Sequence, residues 1–277
     1  MGDKLKRVFG KKKTLLGKEK SGKIPFCVNY YAGCSNGCKY CYGCMLAERF
    51  VENVDYQQWL KPKLVENASE IFEENLKKAK MKGEVFTQSV SDSYMAYADP
   101  DVTRQMLELM RKYEFPILLL TKNETVIRDL DFFEEYKEKM RVGFTIVLPK
   151  TDITIEPYSS PVEKRMRILQ ELFEAGIHTV VSLEPLLPNI PIPEILDMVE
   201  AIDPYVCDYV LVGKLTYASI PKEFKNFPIW DRRLKALHDE YYKELFENLL
   251  PKLKNYSIAS HSRDFLLKHK IPFTETP

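Results

Sequence analysis

The chain has 277 residues, 45% of them hydrophobic and 29% charged, enough apolar material to bury a sizeable core; this excludes a disordered chain and a disulfide-stapled miniprotein. Its 41 Lys and Arg against 40 Asp and Glu give a net charge of +1, which selects no class of partner. No stretch nears the roughly 18 consecutive apolar residues of a membrane span. The basic start MGDKLKRVFGKKK lacks both the apolar core of a signal peptide and the hydroxyl residue of a myristoylation signal, so a cytoplasmic protein without membrane contact is expected.

Charge is nevertheless segregated. Residues 1–23 carry nine Lys or Arg and only Asp3 and Glu19, a local +7 that leaves −6 on the remainder. Such an arm can bind phosphate backbones by counterion release, or be simply a solvated tail. From residue 24, short apolar runs alternate with amphipathic stretches. Strands are predicted over 24–31, 84–90, 116–121, 142–148, 178–184 and 207–212, with helices over 38–50, 63–81, 101–113, 125–139, 161–175, 192–202 and 230–249. The runs are rich in β-branched and aromatic residues with little alternation, the pattern of strands buried on both faces. Pro161 opens and Gly176 follows the 161–175 segment, the usual helix punctuation. Sixfold strand–helix alternation predicts a parallel α/β barrel-like core over residues 24–213, with 214–277 as an α-rich C-terminal extension packed on it.

Five of six cysteines, Cys27, Cys34, Cys38, Cys41 and Cys44, fall within 18 residues. A tight cluster without a secretion signal reads as a metal site rather than a disulfide framework. Three thiolates spaced C-x3-C-x2-C (Cys34, Cys38, Cys41) can hold three irons of a 4Fe–4S cube and leave the fourth iron open for chemistry. Cys44 could close the site as a fourth ligand, giving an electron-transfer or structural Fe–S or zinc module; the alternative is a small buried residue. Cys27 and Cys207 read as core residues on strands.

The string Cys34-x3-Cys38-Lys39-Tyr40-Cys41, placed after the first predicted strand, resembles the hallmark of the radical S-adenosylmethionine (SAM) superfamily. Further segments (NYYAGCSNGCKYCYG, QSVSDSY, LLLTKNETVIRDLD, SSPVEKRMRILQELFEAGI and SLEPLLP) are similar to its spore photoproduct lyase-like branch, often labelled DNA repair photolyase. The resemblance implies a partial (β/α)6 barrel and a 4Fe–4S cluster that reductively cleaves SAM to a 5′-deoxyadenosyl radical for hydrogen abstraction. It also implies an external electron donor of the ferredoxin or flavodoxin type. Carried over to this sequence, Cys34, Cys38 and Cys41 ligate iron; Ser91 and Asp92 lie by the methionine end of SAM; Lys122 and Thr145 contact the cofactor. The tyrosines flanking the third cysteine, Tyr40 and Tyr42, match a catalytic pair. The lyase's cysteine hydrogen donor is replaced by Ser89, whose O–H is far harder to cleave homolytically than a thiol, so the substrate is not assigned. The branch and the basic arm point to DNA or RNA; a small metabolite or peptide is the alternative. Glu184, Gly213-Lys214, Tyr94, Tyr97 and His261 are further candidates to face the site.

Overall fold

The protein is described here by a computed structural model covering residues 14–18, 25–50, 54–216, 220–225 and 235–274. Its centre is one sheet. Strands β2 (Phe26–Val28), β5 (Val85–Thr87), β6 (Ile117–Thr121), β7 (Met140–Thr145), β8 (His178–Leu186), β9 (Asp208–Lys214) and β10 (Tyr256–Ile258) lie side by side in that order, all parallel; β1 (Leu16–Lys18) adds antiparallel to the free side of β2. A second small sheet pairs β3 (Tyr31–Ala32) with β4 (Lys63–Leu64).

The connecting helices cover the outer face, and the sheet curls into a half-barrel, the partial (β/α)6 architecture expected from the sequence. They are α1 (Tyr42–Phe50), α2 (Tyr56–Trp59), α3 (Ala68–Lys78), α4 (Pro100–Lys112), α5 (Leu130–Tyr136), α6 (Val162–Glu174), α7 (Ile192–Ile202), α8 (Lys235–Leu249) and α9 (Ser260–His269). Their apolar stripes meet the strands in one large core; β6 is buried at all five positions and gives that core Ile117 and Leu119. The inner face carries a smaller cluster of Leu118, Leu120, Val180 and Val210, with Phe86 packed on it. Gly143 lets β7 and β8 approach closely: a Cβ there would lie 1.6 Å from the carbonyl oxygen of Val180 on the neighbouring strand, so no other residue fits.

Local chemistry accounts for the helix boundaries. The Asp99 carboxylate accepts from the N–H of Asp101 at 2.9 Å ahead of Pro100, fixing the start of α4. Gly176, at φ +77°, ends α6 with its N–H on the carbonyl of Phe173.

Several boundaries differ from expectation. The run 24–31 breaks after Val28, and Tyr31–Ala32 turn away to pair with β4. Residues 63–64 are therefore strand, and the predicted helix 63–81 starts only at Ala68. Residues 125–139 divide into a 3-10 turn (Glu124–Asp129) and α5. Part of the basic arm is built into the fold: β1 closes the sheet edge, and the Asn75 side chain accepts from the N–H groups of Leu15 and Leu16 at 2.8 and 3.1 Å. Residues 1–13 and 19–24 lie outside the described residues. The segment after Gly213 is not merely packed on the barrel, because its apolar run YSI forms β10 and extends the same sheet.

Candidate functional site

In parallel half-barrels, function gathers at the C-terminal ends of the strands, where the loops converge. Here those ends open on a cavity of about 390 Å³. The loop after β3 forms one wall. Gly37 takes φ +68° there, and a Cβ would press within 2.8 Å of the Tyr158 ring and 3.0 Å of the Tyr56 hydroxyl oxygen, so the left-handed turn between Cys34 and Cys38 needs glycine. The loop is tied down by Cys34 N–H to Trp59 O at 3.0 Å, Lys39 N–H to Ile155 O at 3.0 Å, and Cys41 N–H to Cys38 O at 3.1 Å. α1 then starts at Tyr42.

Cys34, Cys38 and Cys41 all line the cavity, and none is in a disulfide. Burial pushes the thiol of Cys34 well up and that of Cys38 up to about 12, where Lys122 opposes the shift; burial also raises Cys41. Thiolates in so dry a place need a cationic partner, which a soft metal centre supplies. Among the described residues no three His, Cys, Asp or Glu converge closely enough to share one metal ion. Cys44 is fully buried in the main core and does not line the cavity; its backbone N–H points at the Cys41 sulfur, 3.4 Å away. Such N–H···S contacts orient a metal-binding thiolate.

Ser91, Asp92, Lys122 and Thr145, from the ends of β5, β6 and β7, line the same cavity. Asp92 is nevertheless fully engaged. Its Oδ2 accepts from Asn36 Nδ2 (2.8 Å), Asn123 Nδ2 (2.8 Å) and Lys122 N–H (2.9 Å), and its Oδ1 from Tyr94 N–H (2.8 Å) and the Thr121 hydroxyl (2.7 Å). Five donors fill the lone pairs of two oxygens, so this buried carboxylate pins the cysteine loop to two strand ends and keeps no capacity for a ligand. Ser91 donates to the carbonyl of Gly33, another tie to that loop. The Lys122 ammonium sits 5.7 Å from the Tyr40 ring centroid and bears electrostatically on Cys38, Cys41 and Glu156.

The tyrosine pair is divided between two environments. Tyr40 is buried and its hydroxyl donates to Glu156; Tyr42 is half-exposed at the cavity rim and donates to the carbonyl of Ser89. Glu156 also takes Arg165, a pair only 2% exposed on either side, and Arg165 Nη1 donates to Thr145 O at 2.7 Å. Burial works to raise Glu156, but Arg165, Lys122 and Tyr40 overcome it and hold the carboxyl below its ordinary range. Sequence reading missed this pair: Glu156 lies in a loop and Arg165 among the charges of an amphipathic helix, with no pattern joining them. The two asparagines beside motif residues, Asn36 and Asn123, were the one legible hint of the Asp92 network.

Of the further candidates, Glu184, Lys214 and His261 line the cavity, His261 Nδ1 lying 3.5 Å from Glu184 Oε1. Tyr94 is buried with its hydroxyl on Asp129, and Tyr97 points to solvent, 74% exposed. Gly213 serves packing: a Cβ there would meet Ala259 Cβ at 2.8 Å. Cys207 precedes β9, at the opposite end from the cavity.

The sequence model of the family described as "Protein of unknown function (DUF5131)" matches residues 24–237. The chain belongs to this family. The DUF5131 chain is 30% identical to "Uncharacterized protein MJ0683" of Methanocaldococcus jannaschii over 194 residues, 69% of this chain and 71% of that one. It is 27% identical over 254 residues to "Uncharacterized protein ORF301" of Acidianus two-tailed virus, covering 86% and 82% of the two chains. Among solved structures it resembles a spore photoproduct lyase variant, with TM-score 0.61 and 13% identity over 91% of this chain and 81% of that one. A spore photoproduct lyase complexed with dinucleoside spore photoproduct gives TM-score 0.58 and 16% identity with the same coverage. At these identities the likeness is one of fold: this DUF5131 protein shares the half-barrel fold of spore photoproduct lyase. No helix among its described residues is long and apolar enough to cross a membrane.

Proposed function

We propose that the protein is a radical SAM enzyme in which Cys34, Cys38 and Cys41 hold a 4Fe–4S cluster with one iron open to SAM. The observation that carries this reading is the meeting of three thiols from one loop with Lys122 and Thr145 in a single cavity, while Cys44 stays behind the wall. A spore photoproduct lyase of similar fold has been solved with bound AdoMet, which supports the choice of cofactor. When bound, cluster and SAM supply one-electron chemistry: reductive cleavage of SAM to a 5′-deoxyadenosyl radical that abstracts a substrate hydrogen.

The chain's own residues hold and orient. Lys122 offers the ammonium for the SAM carboxylate. Thr145 offers a hydroxyl from the next strand end, and Ser91 anchors the cysteine loop beside it. Asp92 is a positioning residue. The Glu156–Arg165 pair fixes the Tyr40 ring and the end of β7 from behind. Ser89 puts a poor hydrogen-atom donor at the rim, so the final hydrogen comes from elsewhere than this side chain. The electron comes from an external ferredoxin- or flavodoxin-type donor in the cytoplasm. The arm of residues 1–23 tethers nucleic acid as substrate class, supported by its segregated charge. The test is 5′-deoxyadenosine release from anaerobic, dithionite-reduced protein, screened against nucleic acids and cell extract; an iron-replete protein that binds SAM but never releases the nucleoside contradicts the reading.

A further inference from the structure

Gln88 is the most anomalous residue of the cavity wall. It follows β5 at φ +56°, a left-handed conformation that costs a glutamine and would suit glycine or asparagine better. The residue is only 2% exposed, and both the carboxamide oxygen and the nitrogen are buried without any hydrogen-bond partner. A buried primary amide with all its valences open is expensive, and proteins keep such groups where something else completes them. Two independent costs meet at one residue, and that residue lines the cavity.

The surroundings narrow the missing partner. Phe86, Leu120 and Leu211 give the adjacent wall an apolar surface. Lys122 and the cysteines stand on the part of the cavity assigned to the cofactor. A carboxamide presents a donor and an acceptor side by side in one plane, so its complement presents an acceptor and a donor in the same way. The cis-amide edge of a lactam or imide ring is such a complement; the adenine edge, which offers the same pair, belongs to the SAM end of the cavity. A carboxylate would satisfy the N–H and repel the C=O; an ammonium would do the reverse. A planar ring also lays its faces on Phe86 and Leu120.

We infer that Gln88 is the substrate-reading residue of the cavity, pairing its carboxamide with the cis-amide edge of a planar ring. The inference rests on the radical SAM reading for its division of the cavity into cofactor and substrate ends. The same edge occurs in a pyrimidine nucleoside and in a cyclic dipeptide, and the probes separate these sources.

The experiment uses anaerobically prepared holoprotein with SAM present, and calorimetric titration of uridine and cyclo(Gly-Gly). 3-Methyluridine and the N,N′-dimethyl cyclic dipeptide, whose N–H is blocked, are the controls. At least one free-edge probe should bind about tenfold more tightly than its methylated form, the scale of one hydrogen bond to an otherwise orphaned group. Gln88→Met should abolish that preference, keep iron and SAM affinity, and melt a few degrees higher, because it removes the unpaired polar atoms. Gln88→Glu, which sets a second acceptor against the ligand carbonyl, should weaken the free-edge probe by at least as much. The inference is overturned if neither free-edge probe binds, if the preference survives in Gln88→Met, or if Gln88→Met loses SAM affinity, since the amide would then serve the cofactor. Wild-type protein without iron or SAM binding would strike the radical SAM reading instead, and the edge preference measured on that same protein would still decide the role of Gln88.

Discussion

Replacing Asp92 by Asn tests whether this carboxylate is a structural pin. The change keeps shape and removes one acceptor oxygen. The new NH2 group fares best on the Oδ1 side, where Thr121 can rotate its hydroxyl to accept but the N–H of Tyr94, bonded at 2.8 Å, has no alternative. An orphaned buried N–H costs about 1–3 kcal/mol. The three bonds at Oδ2, from Asn36, Asn123 and Lys122, lose their charge assistance, about 1 kcal/mol each. Asp92→Asn should therefore destabilise the protein by roughly 4–6 kcal/mol, and because Asn36 belongs to the cysteine loop it should lower the iron content as well. Anaerobic urea unfolding and iron assay of the same preparations measure both. A loss below about 1 kcal/mol with full iron and selectively weakened SAM binding would refute the reasoning and return Asp92 to the cofactor.

Lys122→Ala should leave iron content intact and weaken SAM binding by about 1.5–3 kcal/mol, the worth of a charge-assisted hydrogen bond, read by equilibrium titration; unchanged affinity removes Lys122 from the cofactor site. Arg165→Met strands the Glu156 carboxylate in the interior and should cost about 3–5 kcal/mol in urea unfolding, most of it restored by adding Glu156→Gln; a cost confined to the double variant would contradict the ion-pair account. Deleting residues 1–13, which removes six of the arm's basic side chains but spares β1, should flatten the salt dependence of DNA and tRNA binding by anisotropy and leave SAM cleavage unchanged. Full-length protein that binds neither nucleic acid at low salt would favour a small metabolite or peptide.

Much of this fold is legible because short apolar runs buried on both faces and amphipathic helical stretches leave distinct periodicities. Ile117–Thr121 and Ile192–Ile202 stand where their patterns put them. The short pieces β1, β3 and β4 escape because two or three residues carry no periodicity, and their pairing is decided by long-range partners: Asn75 for the first, and each other for β3 and β4, some thirty residues apart. At the site, cysteine spacing and strand-end polar residues locate the cavity. What spacing cannot give is which groups are already satisfied. Asp92 and Ser91 look alike in sequence, yet one is saturated by five donors while the other only donates its hydroxyl, to the carbonyl of Gly33 and the sulfur of Met95. Gln88 looks like any strand-end polar residue until its backbone angle and its empty valences are known.

The central claim is a three-cysteine cluster with an open iron, and electron paramagnetic resonance of anaerobically purified, reduced protein, with and without SAM, tests it most directly. Wild type and Cys44→Ala should both carry about four irons per chain and a signal that changes on adding SAM, while Cys34→Ala, Cys38→Ala and Cys41→Ala lose the signal. A colourless zinc protein, a signal indifferent to SAM, or iron loss in Cys44→Ala equal to that in Cys38→Ala would contradict the account.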